Sequence, residues 1–449
     1  MPRQMVMVGF LQAQNCTNLA SSWRHPLSRT DFMSADYYQE IGRVLEAGKF
    51  HLAFFDDRLA MPDRYGNDHV HAIEHGIRCV KMDPIACLMA MGMATSKLGL
   101  GATCSTTYYE PFHVARLFMT VDQLTGGRAG WNVVTSLNDG EAFNMGRTEV
   151  MEHDLRYDRA DEFMEVVLGH WDSWHDDALI LDKNSGRFGD GAKVRRLDYT
   201  GEYFRSRGPF TVPRSAQGHP VIIQAGASGR GRRFAGRWAE VIFAGEGGAT
   251  PATRTYAALK DEVARAGRDP DTVFVCNLTY TCSAATKAEA EDKFALIERL
   301  PLEVDALSLL SEALNFDFAS KGLDDSFTDA ELADMSGIQT MRDRVVQASG
   351  KPNPTVRDFL HFSGRARPHN AIVGGPKEVA DRLEALFTER ACDGFVIAAT
   401  HVPGAYADFV QHVVPELQRR GLYHRDYAGT TLRENLGLAR PQVGRMSEA

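Results

Sequence analysis

The sequence predicts an α/β protein built on a TIM-type (β/α)8 barrel that carries helical and loop insertions. Eight short apolar runs are spread along the 449 residues, and most alternate with helix signals. Near-continuous apolar strands separated by helices mark a parallel sheet covered on both faces. A doubly wound open sheet gives the same alternation, but eight is the number of strands that closes a barrel, for which about 250 residues are typical. The surplus is expected in insertions at about 58–83, 172–218 and 284–370 of a single domain spanning 1–449.

The first run, 5–10 (MVMVGF), is a strand. An amphipathic helix over 38–49 (YQEIGRVLEAGK) stops at a glycine, and 51–56 (HLAFFD) is the second strand. A buried helix at 84–96 leads to the strand 98–106, and a helix at 112–125 ends in a Gly-Gly pair before the strand 129–135 (AGWNVVT). Further strands are predicted at 220–226, 239–245, 272–282 and 394–400, with helices at 251–266 and 376–390. The segment 284–370 is too long to be structureless in a compact domain, and helical patterns at 287–299, 303–315 and 328–349 predict a lid of helices. The stretch 426–449 reads as irregular, packing on the surface or on a partner subunit.

Composition narrows the function. Fifty Lys and Arg against 59 Asp and Glu give a net charge of −9, which disfavours a nucleic-acid partner. With 44% hydrophobic and 24% charged residues, the chain is globular rather than disordered. No run approaches the roughly 18 apolar residues of a membrane span, and the start lacks a cleavage pattern of small residues. Seven cysteines are scattered without CxxC pairs, so zinc frameworks and disulfide scaffolds are not expected and a cytoplasmic, reducing setting is.

Active sites of barrels lie at the C-terminal ends of the strands. Polar residues sit at several such ends: Asp57, Thr103, Ser105, Asn132, Thr135 and Gln224. Buried polar groups need partners, so a shared polar ligand accounts for them as well as helix capping does. A second signal is 225–233 (AGASGRGRR), where small residues, the Ser228 hydroxyl and a following helix start could hold an anion; an ordinary strand-to-helix turn reads the same way. Dinucleotide and phosphate-loop spacings are absent. A third is His153 and Tyr157, one turn apart on a predicted helix face and able to donate to one phosphate, or simply structural. His69, His71 and His75 resemble ligand spacing without a supporting carboxylate or cysteine pattern, so no metal is expected and an exposed loop is the better reading. Trp23 and His25 in SSWRHP follow the first strand and could line a pocket mouth, although Trp23 could equally be core.

Read in order, WRHP, FFDD (54–57), GATCSTTYYEPFHVAR (101–116), DQLTGGRAGWNVVTSLNDGEAFNMG (122–146), EHDLRYDRADEF (152–163), GPFTVPRSAQGHPVIIQAG (208–226) and VPELQRRG with YAGTTLRENLGLARP (414–441) form a recognisable series. The chain resembles the two-component flavin-dependent monooxygenases of the bacterial luciferase-like superfamily. The subgroup resembled is the one holding nitrilotriacetate monooxygenase component A and dibenzothiophene sulfone monooxygenase. The likeness is poorest over 62–83 and 284–365. It implies a barrel holding reduced FMN, with Asp57, Thr103 and Asn132 near the ring or ribityl chain and His153, Tyr157 and Ser228 as a phosphate cradle. It also implies O2 as co-substrate and oxygenation of an organosulfur, heteroaromatic or amine compound, with C–S or C–N cleavage following. A separate NAD(P)H:flavin reductase is expected to supply FMNH2, since no nicotinamide site is found, and a homodimer or homotetramer follows by analogy. His25 is the candidate catalytic group near the substrate, with Asn15 and Trp23 as pocket neighbours. A deazaflavin-dependent oxidoreductase of the same superfamily, or a non-catalytic flavin-binding barrel, is the alternative.

Overall fold

The computed structural model describes residues 3–444 apart from 227–228, 246–250 and 369. Eight parallel strands close into a barrel in chain order: β1 (Val6–Gln12), β2 (Leu52–Asp56), β3 (Gly99–Ser105), β4 (Ala129–Val134), β5 (Val221–Gln224), β6 (Val241–Gly245), β7 (Phe274–Ser283) and β8 (Gly394–Ala398). Closure is explicit in the register, because β8 pairs with β1 through Gly394 opposite Val6, and β6 pairs with β7 through Val241 opposite Phe274. All eight strands lie where the sequence predicts them. Around the barrel run α1 (Ala35–Ala47), α2 (Pro84–Gly92), α3 (Pro111–Leu124), α4 (His153–Trp171), α5 (Gly229–Trp238), α6 (Ala252–Arg265), α7 (Pro376–Thr388) and α8 (Val414–Arg419).

Strand alternation divides the core. Val6 and Val8 of β1, with Leu52 and Phe54 of β2, face the barrel interior beside Ile223, Cys276 and Val396. Their neighbours Met5, Met7, Ala53 and Phe55 face outward against Tyr38, Ile41 and Leu45 of α1, whose three- and four-residue spacing forms one helical face. Ser34 starts α1 by accepting the Tyr37 amide at 3.2 Å. Gly394 is required by close approach, since a Cβ there would stand 2.0 Å from the Val6 carbonyl oxygen.

Three expectations are corrected. The stretch 426–449 does not simply lie on the surface: the short helix Leu432–Leu436 plugs the N-terminal mouth of the barrel. Leu432 is completely buried and Leu436 nearly so, packed with the interior residues of β1, β2 and β5. Arg433 fixes the plug with a bidentate pair to Glu240 (2.6 and 2.9 Å) and a bond to the His219 carbonyl at 3.0 Å. The predicted helix 328–349 is two helices, Asp329–Asp334 and Gln339–Ser349. Between them Gly337 passes so close to Ala313 that a Cβ would fall 2.1 Å from its carbonyl oxygen, and Ile338 donates to that carbonyl at 2.8 Å.

The insertions have their own order. The 172–218 stretch forms two small hairpins, Leu179–Asp182 with Arg187–Gly189 and Tyr199–Thr200 with Arg205–Ser206. Glu162 of α4 accepts the backbone amides of Glu202, Tyr203 and Phe204, which ties the second hairpin down. The lid over 284–370 contains Lys287–Arg299, Glu303–Leu314 and Val356–Phe362 besides the broken pair, packed around Leu310, Phe318, Phe327 and Phe359. Arg24, just after β1, anchors it through a bidentate pair with the buried Asp305 at 2.6 and 2.9 Å. His69–His75, expected as an exposed loop, is mostly the helix Val70–His75, with His71 turned to Ser308 of the lid at 3.3 Å. Among the described residues no cluster of His, Cys, Asp or Glu could hold a metal ion, and no helix is long and apolar enough to cross a membrane.

Candidate active site

The C-terminal ends of the strands surround a cleft of about 340 Å³, a size suited to a small molecule or cofactor. Its floor is apolar. Phe10 of β1, Phe54 of β2 and Phe243 of β6 meet there, with ring centroids 5.9 Å apart for Phe10 and Phe54 and 4.7 Å for Phe54 and Phe243, and Leu278 and Val396 complete it. Phe54 and Val396 are the upper residues of the barrel interior, and Phe10, Phe243 and Leu278 stand two residues after the interior positions Val8, Val241 and Cys276, so strand alternation alone places them.

The wall above is polar. Asn132 of β4 donates through Nδ2 to Thr103 Oγ1 of β3 at 2.9 Å. Asn132 Oδ1 and Gln224 Oε1 are buried and have no hydrogen-bond partner among the described residues, although each residue is only 2% exposed. An unpaired buried amide oxygen is costly, so such atoms mark where a ligand's donors belong. Asp57 follows β2 at the rim, and burial pushes its carboxyl up to about 7, with Lys81 opposing and Asp56 reinforcing the shift. Thr103 and Asp57 also line a side pocket with Asp83, Tyr109 and His113.

The outer wall comes from the loop after β4 and from α4. Ser136, in the left-handed region at φ 50°, hydrogen-bonds through Oγ to Ser105 Oγ at 3.0 Å. Arg156 donates to the Ser136 carbonyl and Arg159 to the Thr106 carbonyl, so α4 pins the loops after β4 and β3. This holds Tyr157, on the same turn, in the cleft wall. The Tyr157 ring packs on Phe234 of α5 at 5.6 Å, beneath the Arg230 guanidinium.

Asp57, Asn132 and Tyr157 therefore share one cavity wall, and Thr103 is bonded to it. His153 begins α4 beside them. It is exposed, its ring 5.3 Å from that of Tyr157 and its Nδ1 2.7 Å from the Asp154 carboxylate. Ser228 lies outside the described residues; Ala225 before it lines the cleft, and α5 begins at Gly229.

The substrate-side candidates stand apart from this wall. His25 is buried and stacked on His401, centroids 3.7 Å apart, and burial with the nearby Lys293 holds it below the usual histidine range. Asn15 Nδ2 donates to the Gly76 carbonyl at 2.7 Å, and its Oδ1 accepts the Val80 amide at 3.2 Å. Trp23, 38% exposed, donates to the His75 carbonyl at 2.9 Å. Asn15 and Trp23 thus clamp the 58–83 insertion. Sequence reasoning missed the phenylalanine floor and the charged residues Arg58, Arg78, Lys81, Glu141 and Glu312; alternation could have found the first, but no motif signals the second.

Comparison with known proteins agrees with this geometry. A family model described as luciferase-like monooxygenase matches residues 27–394. Dibenzothiophene-sulfone monooxygenase of Rhodococcus erythropolis is 43% identical over 98% of each chain. Nitrilotriacetate monooxygenase component A of Aminobacter aminovorans is 38% identical over 94% of each. A riboflavin lyase solved with modified FMN and riboflavin superposes with a TM-score of 0.87 at 32% identity, over 98% of this chain and 97% of that one. The chain belongs to the luciferase-like monooxygenase family.

Proposed function

We propose that this protein is the oxygenase component of a two-component system, using reduced FMN and O2 to oxygenate a small organosulfur, heteroaromatic or amine compound. The observation that carries the reading is the cleft itself, with buried amide oxygens that lack partners among the described residues above an apolar phenylalanine floor at the strand ends. The names of the similar sulfone and nitrilotriacetate enzymes support it, and "component A" supports a separate partner, here an NAD(P)H:flavin reductase.

The residues fit FMN. Asn132 and Gln224 would accept from the N–H groups of a bound flavin, Thr103 orients Asn132, and Asp57 would stand on the same cleft wall. His153 and Tyr157 in the first turns of α4 would hold the phosphate, joined by Ser228, which precedes α5 in the sequence; helix N-termini favour anions. When bound, the reduced flavin supplies the activation of O2.

The protein's own work is positioning and exclusion. Phe10, Phe54 and Phe243 keep water from the ring face. Asp57, with its carboxyl near 7, can hold or release a proton at its Oδ atoms at neutral pH. Asn15 and Trp23 act on the substrate side by fixing the 58–83 insertion, and His25 does so through its stack with His401, which joins the segments after β1 and β8. The cysteines are scattered without CxxC pairs, which supports a reducing cytosol, and a homodimer or homotetramer completes the reading.

The test is O2 uptake and product mass with reductase, FMN and NADH over sulfones, heteroaromatics and aminopolycarboxylates. A product heavier by one oxygen atom, or its cleavage fragments, is expected. Tight binding of FMN with no substrate-dependent O2 uptake would overturn the reading.

A further inference from the structure

The first hairpin of the 172–218 stretch, Leu179–Asp182 with Arg187–Gly189, is a two-stranded sheet of its own. Leu179, Ile180 and Leu181 are all exposed, Leu181 by 59%, and Phe188 on the return strand is 68% exposed. Leu179 and Ile180 are successive in the strand and so point to opposite faces, which leaves both faces of this arm apolar and open to solvent. Nowhere else among the described residues do three consecutive large apolar side chains stand exposed. A lone two-stranded hairpin is marginal in water, and contiguous exposed apolar side chains mark contact sites.

The arm is rigid at its base. Ala178 is completely buried, and its carbonyl accepts the Asp190 amide at 2.8 Å. Trp174 Nε1 donates to the Phe210 carbonyl at 2.7 Å, and Arg440 holds the Asp176 carboxylate at 2.5 and 2.6 Å. The apolar strand is therefore presented at a set angle to the barrel.

The order of its side chains identifies the partner. Read outward from Ile180, the strand meets Leu179 on one side and Leu181 on the other, then Ala178 and Asp182, then Asp177 and Lys183. Two copies laid antiparallel about a two-fold axis at Ile180 set Leu179 beside Leu181 and Asp177 beside Lys183, the self-complementarity that an isologous contact requires. Both charges are accessible. Lys183 is exposed and makes no ion pair or hydrogen bond to any described residue, and the Asp177 side chain is 70% exposed even though it meets Lys193. Leu181 lies at φ 54°, where the ladder register shifts between Leu179 and Asp182. Such a bulge interrupts strand addition, so the arms meet through side chains and association closes at one pair instead of running on.

We propose that this hairpin is a self-association arm, packed two-fold against the same hairpin of a second copy of the chain. The inference rests on the homo-oligomer reading and gives that reading a surface.

Sedimentation of the full chain over a range of concentrations tests it, with FMN affinity checking that each variant is folded. The parent is expected as an even-numbered assembly. Ile180→Lys and Phe188→Glu should each halve its mass, raising the dissociation constant at least about a hundredfold. Asp177→Lys and Lys183→Asp should each weaken association about tenfold, by opposing like charges at both symmetry-related pairs. An equal mixture of those two variants should restore it, because each chain then carries the charges that the other lacks. The two positions are six residues apart along the strand, about 20 Å, so no contact within one chain can mimic the rescue. An assembly unmoved by Ile180→Lys and Phe188→Glu, or a mixture no tighter than its components, would overturn the arm and leave the homo-oligomer reading standing. A monomeric parent would overturn both.

Discussion

Asn132 Nδ2 and Thr103 Oγ1 lie 2.9 Å apart at the ends of adjacent strands, and this bond aims Asn132 Oδ1 into the cleft with no partner among the described residues. The register behind it is strict, with Thr103 directly opposite Asn132 in the ladder between β3 and β4. Thr103→Val should therefore loosen the amide without emptying the site. An FMN affinity loss of about 1 kcal/mol is expected, with Asn132→Ala losing more, since it removes the acceptor and orphans the Thr103 hydroxyl. Fluorescence titration of FMN checks both. Unchanged affinity in Asn132→Ala would detach the flavin ring from β4.

The phosphate end is separable from the ring end. Tyr157→Phe and Ser228→Ala should each weaken FMN by about 1–2 kcal/mol, the scale of a hydrogen bond to a charged group, and leave riboflavin affinity nearly untouched. Equal losses for FMN and riboflavin would move these residues away from the phosphate.

Asp57 ties stability to pH. Its folded-state carboxyl is raised to about 7 by burial, far above the usual aspartate range near 4. A raised acid favours the folded state most while protonated in both states. Its contribution is thus full below about pH 4 and lost as pH climbs toward 7, amounting to a few kcal/mol at most. Melting temperature against pH should fall between those limits more steeply in the parent than in Asp57→Asn. Parallel curves would show that the carboxyl ionises freely in the folded protein.

The plug at the lower mouth is expected to matter for folding and not for chemistry. Leu432→Ala empties a wholly buried position among Val6, Leu52 and Ile223 and should cost about 2–5 kcal/mol in denaturant unfolding. FMN affinity should be unchanged, since the plug lies at the opposite end of the barrel from Asn132. A cost under about 0.5 kcal/mol, the size of an ordinary surface change, would show that Leu432 does not close the barrel.

The barrel strands were legible because each is wrapped on both faces, so inner and outer residues alike are apolar and the run is continuous, as in Leu52–Phe55. Strand-end residues such as Asn132 stood out as polar breaks in those runs. The broken helix at Gly337 was not legible, because it depends on where Ala313 passes, not on local propensity. The plug was missed for a related reason. Leu432 and Leu436 form a single apolar turn amid polar residues, too short to announce a partner so far away in sequence. Arg58, Arg78, Lys81, Glu141 and Glu312 lie in three stretches of chain with no shared spacing, and only folding collects them.

The Leu432–Leu436 plug also sets an order of events during synthesis. β1, whose interior valines it shields, leaves the ribosome long before residue 432 does, and every other strand follows it out first. The nascent barrel thus passes through a stage whose lower end is wet, when chaperones and proteases compete for it. Messages truncated upstream of residue 432 should accordingly yield degraded fragments rather than a smaller working catalyst.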